Sequence, residues 1–77
     1  MLKPTDFLEI ETRNYVGPVQ IRIDHITHLC PYSFEDGDRK RVRCCYIYMV
    51  NGEKLEVRKL AAEIMAMIIQ RSADPYR

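Results

Sequence analysis

Along residues 7–13, apolar Leu8 and Ile10 alternate with Glu9 and Glu11, the period of a strand with one wet face. Asn14-Tyr15-Val16-Gly17-Pro18 supplies turn chemistry, after which Val19, Ile21 and Ile23 alternate with Gln20, Arg22 and Asp24. A second strand over residues 19–29 therefore pairs with the first as a hairpin. Beyond Ile23 the next apolar residues are Ile26 and Leu29, so a bulge or bend near Asp24-His25 is needed to restore inward pointing. Pro31 limits how far that strand continues, and the polar run of residues 33–41, with Asp36-Gly37 as its turn, reads as a flexible connection.

The strongest local signal is Asn51-Gly52, set between CCYIYMV and EKLEV. A two-residue type I′ turn needs positive φ, which Asn-Gly tolerates best, so strands over residues 42–50 and 53–58 form a tight hairpin. In that register Val50 opposes Glu53, Tyr48 opposes Leu55 and Tyr46 opposes Val57. Cys44, Tyr46, Tyr48, Leu55 and Val57 then make the core face. The other face pairs Met49 with Lys54 and Ile47 with Glu56, so the third strand is apolar on both sides and needs either a second covering layer or a partner.

Residues 60–72 are rich in Ala, Met and Ile and are followed by Asp74-Pro75, which predicts one C-terminal helix. Its apolar residues spread over an arc of about 220° at helical spacing, more than one sheet requires. The pattern as a whole predicts an α+β fold: a four-stranded antiparallel sheet of two hairpins with one C-terminal helix, residues 1–77 forming a single domain.

Seventy-seven residues, 47% hydrophobic and 30% charged, hold one small core that needs supplementing, and self-association is one way to do so. The net charge of +1 provides no global field for nucleic acid or an anionic membrane. Three cysteines and the lack of a basic-then-apolar leader point to a reducing cytoplasm. The least polar segment, residues 60–69, falls short of the roughly 20 residues needed to span a bilayer, so no membrane partner is expected.

His25, His28, Cys30, Cys44 and Cys45 are metal-capable, but their spacing matches no zinc pattern, and adjacent Cys44 and Cys45 point to opposite faces. The favoured reading makes Cys44 a small core residue and places the histidines along a strand edge, so neither metal nor cofactor is expected. A Cys-His nucleophile pair drawn from these residues has no Gly-rich loop or oxyanion site around it, and no catalytic residue is assigned. Arg39, Lys40, Arg41 and Arg43 form the basic cluster, flanked by Tyr32, Phe34, Tyr46 and Tyr48. That grouping suits single-stranded nucleic acid, although Glu35, Asp36 and Asp38 partly neutralise it.

The segments IRIDHITHLCPY, CYIYMVNGEKLEV and RKLAAEIMAMI together resemble the layout of the small FlbD-like proteins encoded among bacterial flagellar genes. The resemblance spans residues 7–69 and rests on a hydrophobic layout and one Asn-Gly hairpin. It implies an accessory, non-enzymatic protein and transfers no catalytic residue; the charged connection and the Cys and His content depart from it.

The resulting expectation is a small, self-associating protein-protein interaction module, bacterial or phage-like and accessory or regulatory, whose partner is a second copy or another protein. Its contact surface is expected at Cys45, Ile47 and Met49, with the outer helix arc of Met65, Ile68 and Ile69. The alternative is a nucleic-acid-binding regulator using Arg39, Lys40, Arg41 and Arg43.

Overall fold

The computed structural model describes residues 6–72. Five strands and one helix follow in the order β1 (Phe7–Glu11), β2 (Pro18–Arg22), β3 (Ile26–Glu35), β4 (Arg41–Met49), β5 (Lys54–Val57) and α1 (Ala61–Ser72), with a 3-10 turn at Ile23–His25 between β2 and β3. The strands make two antiparallel sheets, β1-β2 and β3-β4-β5, rather than the single four-stranded sheet expected. The 3-10 turn is the cause: it divides the expected strand over residues 19–29 and redirects the chain, so β2 and β3 belong to different sheets. The same turn, with a register shift between Ile26 and His28, lets Ile23 and Ile26 both pack against the core.

In the two-stranded sheet Leu8 pairs with Ile21 and Ile10 with Val19, so one face is wholly aliphatic. That face joins one side of the three-stranded sheet and one stripe of α1 to enclose Leu8, Ile10, Ile21, Cys45, Ile47, Leu55, Val57 and Ile64. The second layer anticipated for β4 is therefore present on one face, supplied by the β1-β2 hairpin as well as the helix. Asn14 ties the two sheets together. Its Oδ1 accepts the Glu56 N–H at 2.8 Å and its Nδ2 donates to the Lys54 carbonyl at 3.3 Å, while the Arg13 N–H donates to the Glu56 carbonyl at 2.8 Å. These bonds satisfy the outer edge of β5, which would otherwise present an unpaired backbone.

Pro31 does not end its strand. β3 runs on to Glu35 as the edge of its sheet, where a missing N–H that faces away from the neighbour removes no ladder bond. The expected connection over residues 33–41 shrinks to the turn of residues 36–40.

Both turns of the three-stranded sheet have the same build. In the first, the Arg39 N–H donates to the Asp36 carbonyl and the Asp36 N–H to the Lys40 carbonyl, both at 3.0 Å; in the second, the Gly52 N–H donates to Met49 and the Met49 N–H to Glu53, both at 2.9 Å. Each is a three-residue loop whose last residue has positive φ, 63° at Arg39 and 90° at Gly52, the turn-plus-bulge geometry that ranks next after two-residue loops. Asp36 and Asn51 reinforce the loops through their side-chain oxygens, Asp36 accepting from the N–H groups of Asp38 and Lys40 and Asn51 from that of Glu53.

The third loop residue corrects the β4-β5 register. Tyr48 pairs with Lys54, Ile47 with Leu55, Tyr46 with Glu56 and Cys45 with Val57. One added residue turns every β4 side chain to the opposite face, so Cys45 and Ile47 share the core with Leu55 and Val57, and Tyr46 and Tyr48 lie outside.

At α1, the Leu60 N–H donates to Glu63 Oε1 at 3.1 Å, half of a capping box that also sets a carboxylate in the positive first turn. Among the described residues no helix is long and apolar enough to cross a membrane.

The two loops carry a direct test. A Cβ on Gly52 would meet nothing within 4 Å, so Gly52→Ala should destabilise by about 1 kcal/mol through backbone conformation alone. Arg39→Gly should stabilise by a few tenths to about 1 kcal/mol, because relief of the left-handed conformation exceeds the entropy that glycine adds to the unfolded chain. Urea unfolding of the two variants measures both signs.

Candidate functional site

The outer face of β3-β4-β5 carries the even-numbered side chains of β4 and, from His28 onward, of β3. Across these strands His28 pairs with Tyr48, Cys30 with Tyr46, Tyr32 with Cys44 and Phe34 with Val42. Cross-strand spacing brings rings at such positions into contact. His28 and Tyr48 stack with centroids 4.3 Å apart and planes 11° from parallel, and Tyr32 and Tyr46, diagonal neighbours, stack at 4.3 Å and 10°. Tyr46 meets Tyr48 edge-on at 6.3 Å, and Phe34 lies 6.2 Å from Tyr32. Five rings thus form one stripe along the sheet.

Two cations flank the stripe. Lys54 Nζ stands 4.5 Å from the Tyr46 centroid, and the Arg58 guanidinium 5.6 Å from that of Phe34, within the range of a cation–π attraction. Cys44, in the middle of this face, is nonetheless buried, because the rings close over the smaller side chain. Desolvation pushes the Tyr32 phenol well above its ordinary range, and the nearby Tyr46 hydroxyl and Glu56 carboxylate add to the shift. Thr27 donates its hydroxyl to the Tyr48 carbonyl at 3.0 Å and lies 3.0 Å from His28 Nδ1. With that hydroxyl proton committed, Nδ1–H of His28 must be the donor to Thr27 Oγ1, which holds the imidazole against Tyr48.

The residues expected to form a contact surface are dispersed. Cys45 and Ile47 are 0% exposed, and Met49 and Ile68 pack half-buried against the core; the corrected register explains the first three. Met65 and Ile69 are exposed, at 46% and 58%, and share an outer helix flank with Ala62 and Ala66. Burial also raises the Cys45 thiol above its ordinary range, an effect of desolvation first.

Of the basic residues, Arg39 and Lys40 occupy the β3-β4 loop. Arg41 and Arg43 share the inner-face parity of Cys45, beyond the end of the core. His25 lies in the 3-10 turn, His28 and Cys30 on the outer face and Cys45 inside, and among the described residues no three metal-capable side chains come together.

Reading the sequence grouped Tyr32, Phe34, Tyr46 and Tyr48 beside the basic cluster but did not place them, with His28, on one open sheet face. The signal for that stripe was available in the period of two shared by Tyr32 and Phe34 on one strand and Tyr46 and Tyr48 on the next. Assigning those tyrosines to the core concealed it.

The raised Tyr32 phenol fixes a sign for alkaline pH. The unfolded chain releases this proton near pH 10 while the folded chain retains it, so the folded state is fully favoured below that value and loses stability as pH rises beyond it. Unfolding midpoints measured from pH 8 to 11 should fall above about 10, and Tyr32→Phe should flatten that fall. Thiol labelling adds a second check: Cys30 should react in the native protein, and Cys44 and Cys45 only on unfolding.

The chain was compared with protein-family models, with curated proteins and with solved structures, and no match was found in any of the three.

Proposed function

We propose that this protein is a small non-enzymatic interaction module, accessory or regulatory in role, that self-associates through the outer face of β3-β4-β5. The observation that carries the reading is the continuous stripe of His28, Tyr32, Phe34, Tyr46 and Tyr48 on a sheet face with no covering layer among the described residues. Tyrosine and phenylalanine at a surface contribute large contact area at low entropic cost and are enriched at interfaces.

The size of the face sets the expected strength. β3 and β4 are each about 30 Å long and β5, at four residues, about 13 Å, so at a spacing of about 4.8 Å the face has a footprint of roughly 350 Å² per copy. Two copies face to face bury roughly 700 Å², below the standard size of a specific interface, so the association is weak and transient. Three free cysteines suit a reducing compartment such as the cytoplasm, and the resemblance to FlbD-like proteins points to the same non-enzymatic class.

Ring geometry weighs against the nucleic-acid reading. Base stacking needs open ring faces, but Tyr46 is covered by Tyr32 on stacking and approached by Lys54, while His28 and Tyr48 cover one another.

Sedimentation equilibrium between about 1 and 100 μM should show a monomer-dimer equilibrium. Tyr32→Lys should abolish the dimer without unfolding the chain, and the paired helix change Met65→Lys, Ile69→Lys should leave it intact. A wild-type chain that stays monomeric throughout, or a dimer lost only in the helix variant, contradicts the proposal.

A further inference from the structure

A groove of about 420 Å³ opens between the far end of the β3-β4 hairpin and the start of α1, lined by Pro31, Ser33, Arg41, Arg43, Leu60 and Ala61 together with Tyr32 and Cys44. Arg43 pairs across the strands with Ser33, and Arg41 with Glu35. Instead of engaging Glu35, Arg41 leans diagonally and donates from Nη1 to Ser33 Oγ at 3.0 Å. Both guanidiniums therefore flank the same serine on the same face.

Among the described residues neither arginine has a carboxylate partner, and the ion pair there is Arg22–Asp24, at 2.8 Å. The nearby acids are otherwise disposed. Asp36 is occupied by the N–H groups of its own loop, and Glu63 caps the Leu60 N–H, which also removes the helix terminus as the main source of positive potential. Two unpaired like charges at alternate positions of one strand repel each other, and a shared anion relieves that repulsion. Paired guanidiniums match the oxygens of a tetrahedral dianion by forked hydrogen bonds. The opposite wall, Pro31 and Leu60, is apolar, and Leu60 is 39% exposed.

We infer that this groove binds a phosphate monoester, with Arg41 and Arg43 holding the phosphate, Ser33 fixing Arg41, and Pro31 and Leu60 packing against the organic group that carries it. A single phosphate fits better than a polyanion. Among the described residues the cations lining the groove are these two, and Glu35, Asp36 and Asp38 beyond it repel a chain of further phosphates. Tyr32 of the aromatic stripe also lines the groove, so the arginine variants, which leave the stripe intact, separate ligand binding from self-association.

The test is titration of the full-length ¹⁵N-labelled protein, followed by amide shifts, with inorganic phosphate, phenyl phosphate and a ten-nucleotide oligothymidylate at fixed ionic strength. Saturable shifts at Ser33, Arg43 and Leu60 are expected with phenyl phosphate, and at least tenfold weaker binding of inorganic phosphate, which lacks the apolar body. Arg43→Gln should weaken phenyl phosphate at least tenfold, Arg41→Gln should do likewise, and Lys40→Gln should change it less than twofold. Unchanged amide dispersion in each variant identifies the loss as one of binding rather than folding. The inference is overturned by the absence of saturable shifts, by equal losses from Lys40→Gln and Arg43→Gln, or by oligothymidylate binding more tightly than phenyl phosphate with a steep salt dependence. That last outcome would identify a polynucleotide surface instead.

Discussion

The backbone at Gly52 turns through a positive φ of 90°, and the three-residue loop it closes decides which face of β4 is inside. β4 has apolar residues at every position from Cys44 to Met49, so its own composition expresses no preference between faces. The loop supplies it. With Ile47 set opposite Leu55 and Cys45 opposite Val57, the odd-numbered side chains enter the core, and the aromatic rings at 46 and 48 are left to stack with Tyr32 and His28. A loop one residue shorter would bury the tyrosines and expose the aliphatics.

The rest of the architecture accommodates that choice. Aliphatic side chains on the inner face are compact enough for the β1-β2 hairpin and α1 to close over them together, with Ile64 entering from the helix. Asn14 then ties the hairpin to β5 by bonds from both ends of its amide, so the layer that covers the core also seals one sheet edge. On the outer face, ring-on-ring packing and the flanking cations Lys54 and Arg58 stabilise a surface that no second layer covers among the described residues. That surface is where the proposed partner docks. The aromatic face and the arginine groove are built from the same hairpin and share Tyr32.

Much of this was legible in the residues. Strict alternation located β1, β2 and β5, Asn51-Gly52 located the last hairpin, and the irregular spacing of Ile23, Ile26 and Leu29 foretold the turn at Asp24-His25. Loop length was not legible, because Asn-Gly serves a two-residue turn and a three-residue turn with a bulge equally well, and a strand apolar on both faces cannot decide between them. The division into two sheets was hidden for a related reason. Local spacing shows that a bend is needed but not how far it redirects the chain. Pro31 and the charges after it suggested an ending, whereas an edge strand tolerates both. The candidate surface followed the register, so one misplaced residue moved it from the outer face to the inner.

Cross-strand nuclear Overhauser contacts in the β4-β5 hairpin decide whether this register holds. The account predicts backbone contacts of Ile47 with Leu55 and of Cys45 with Val57, together with ring contacts between Tyr46 and Tyr32. Contacts of Tyr48 with Leu55 and of Tyr46 with Val57 would contradict it, and with it the assignment of the aromatic stripe to the surface.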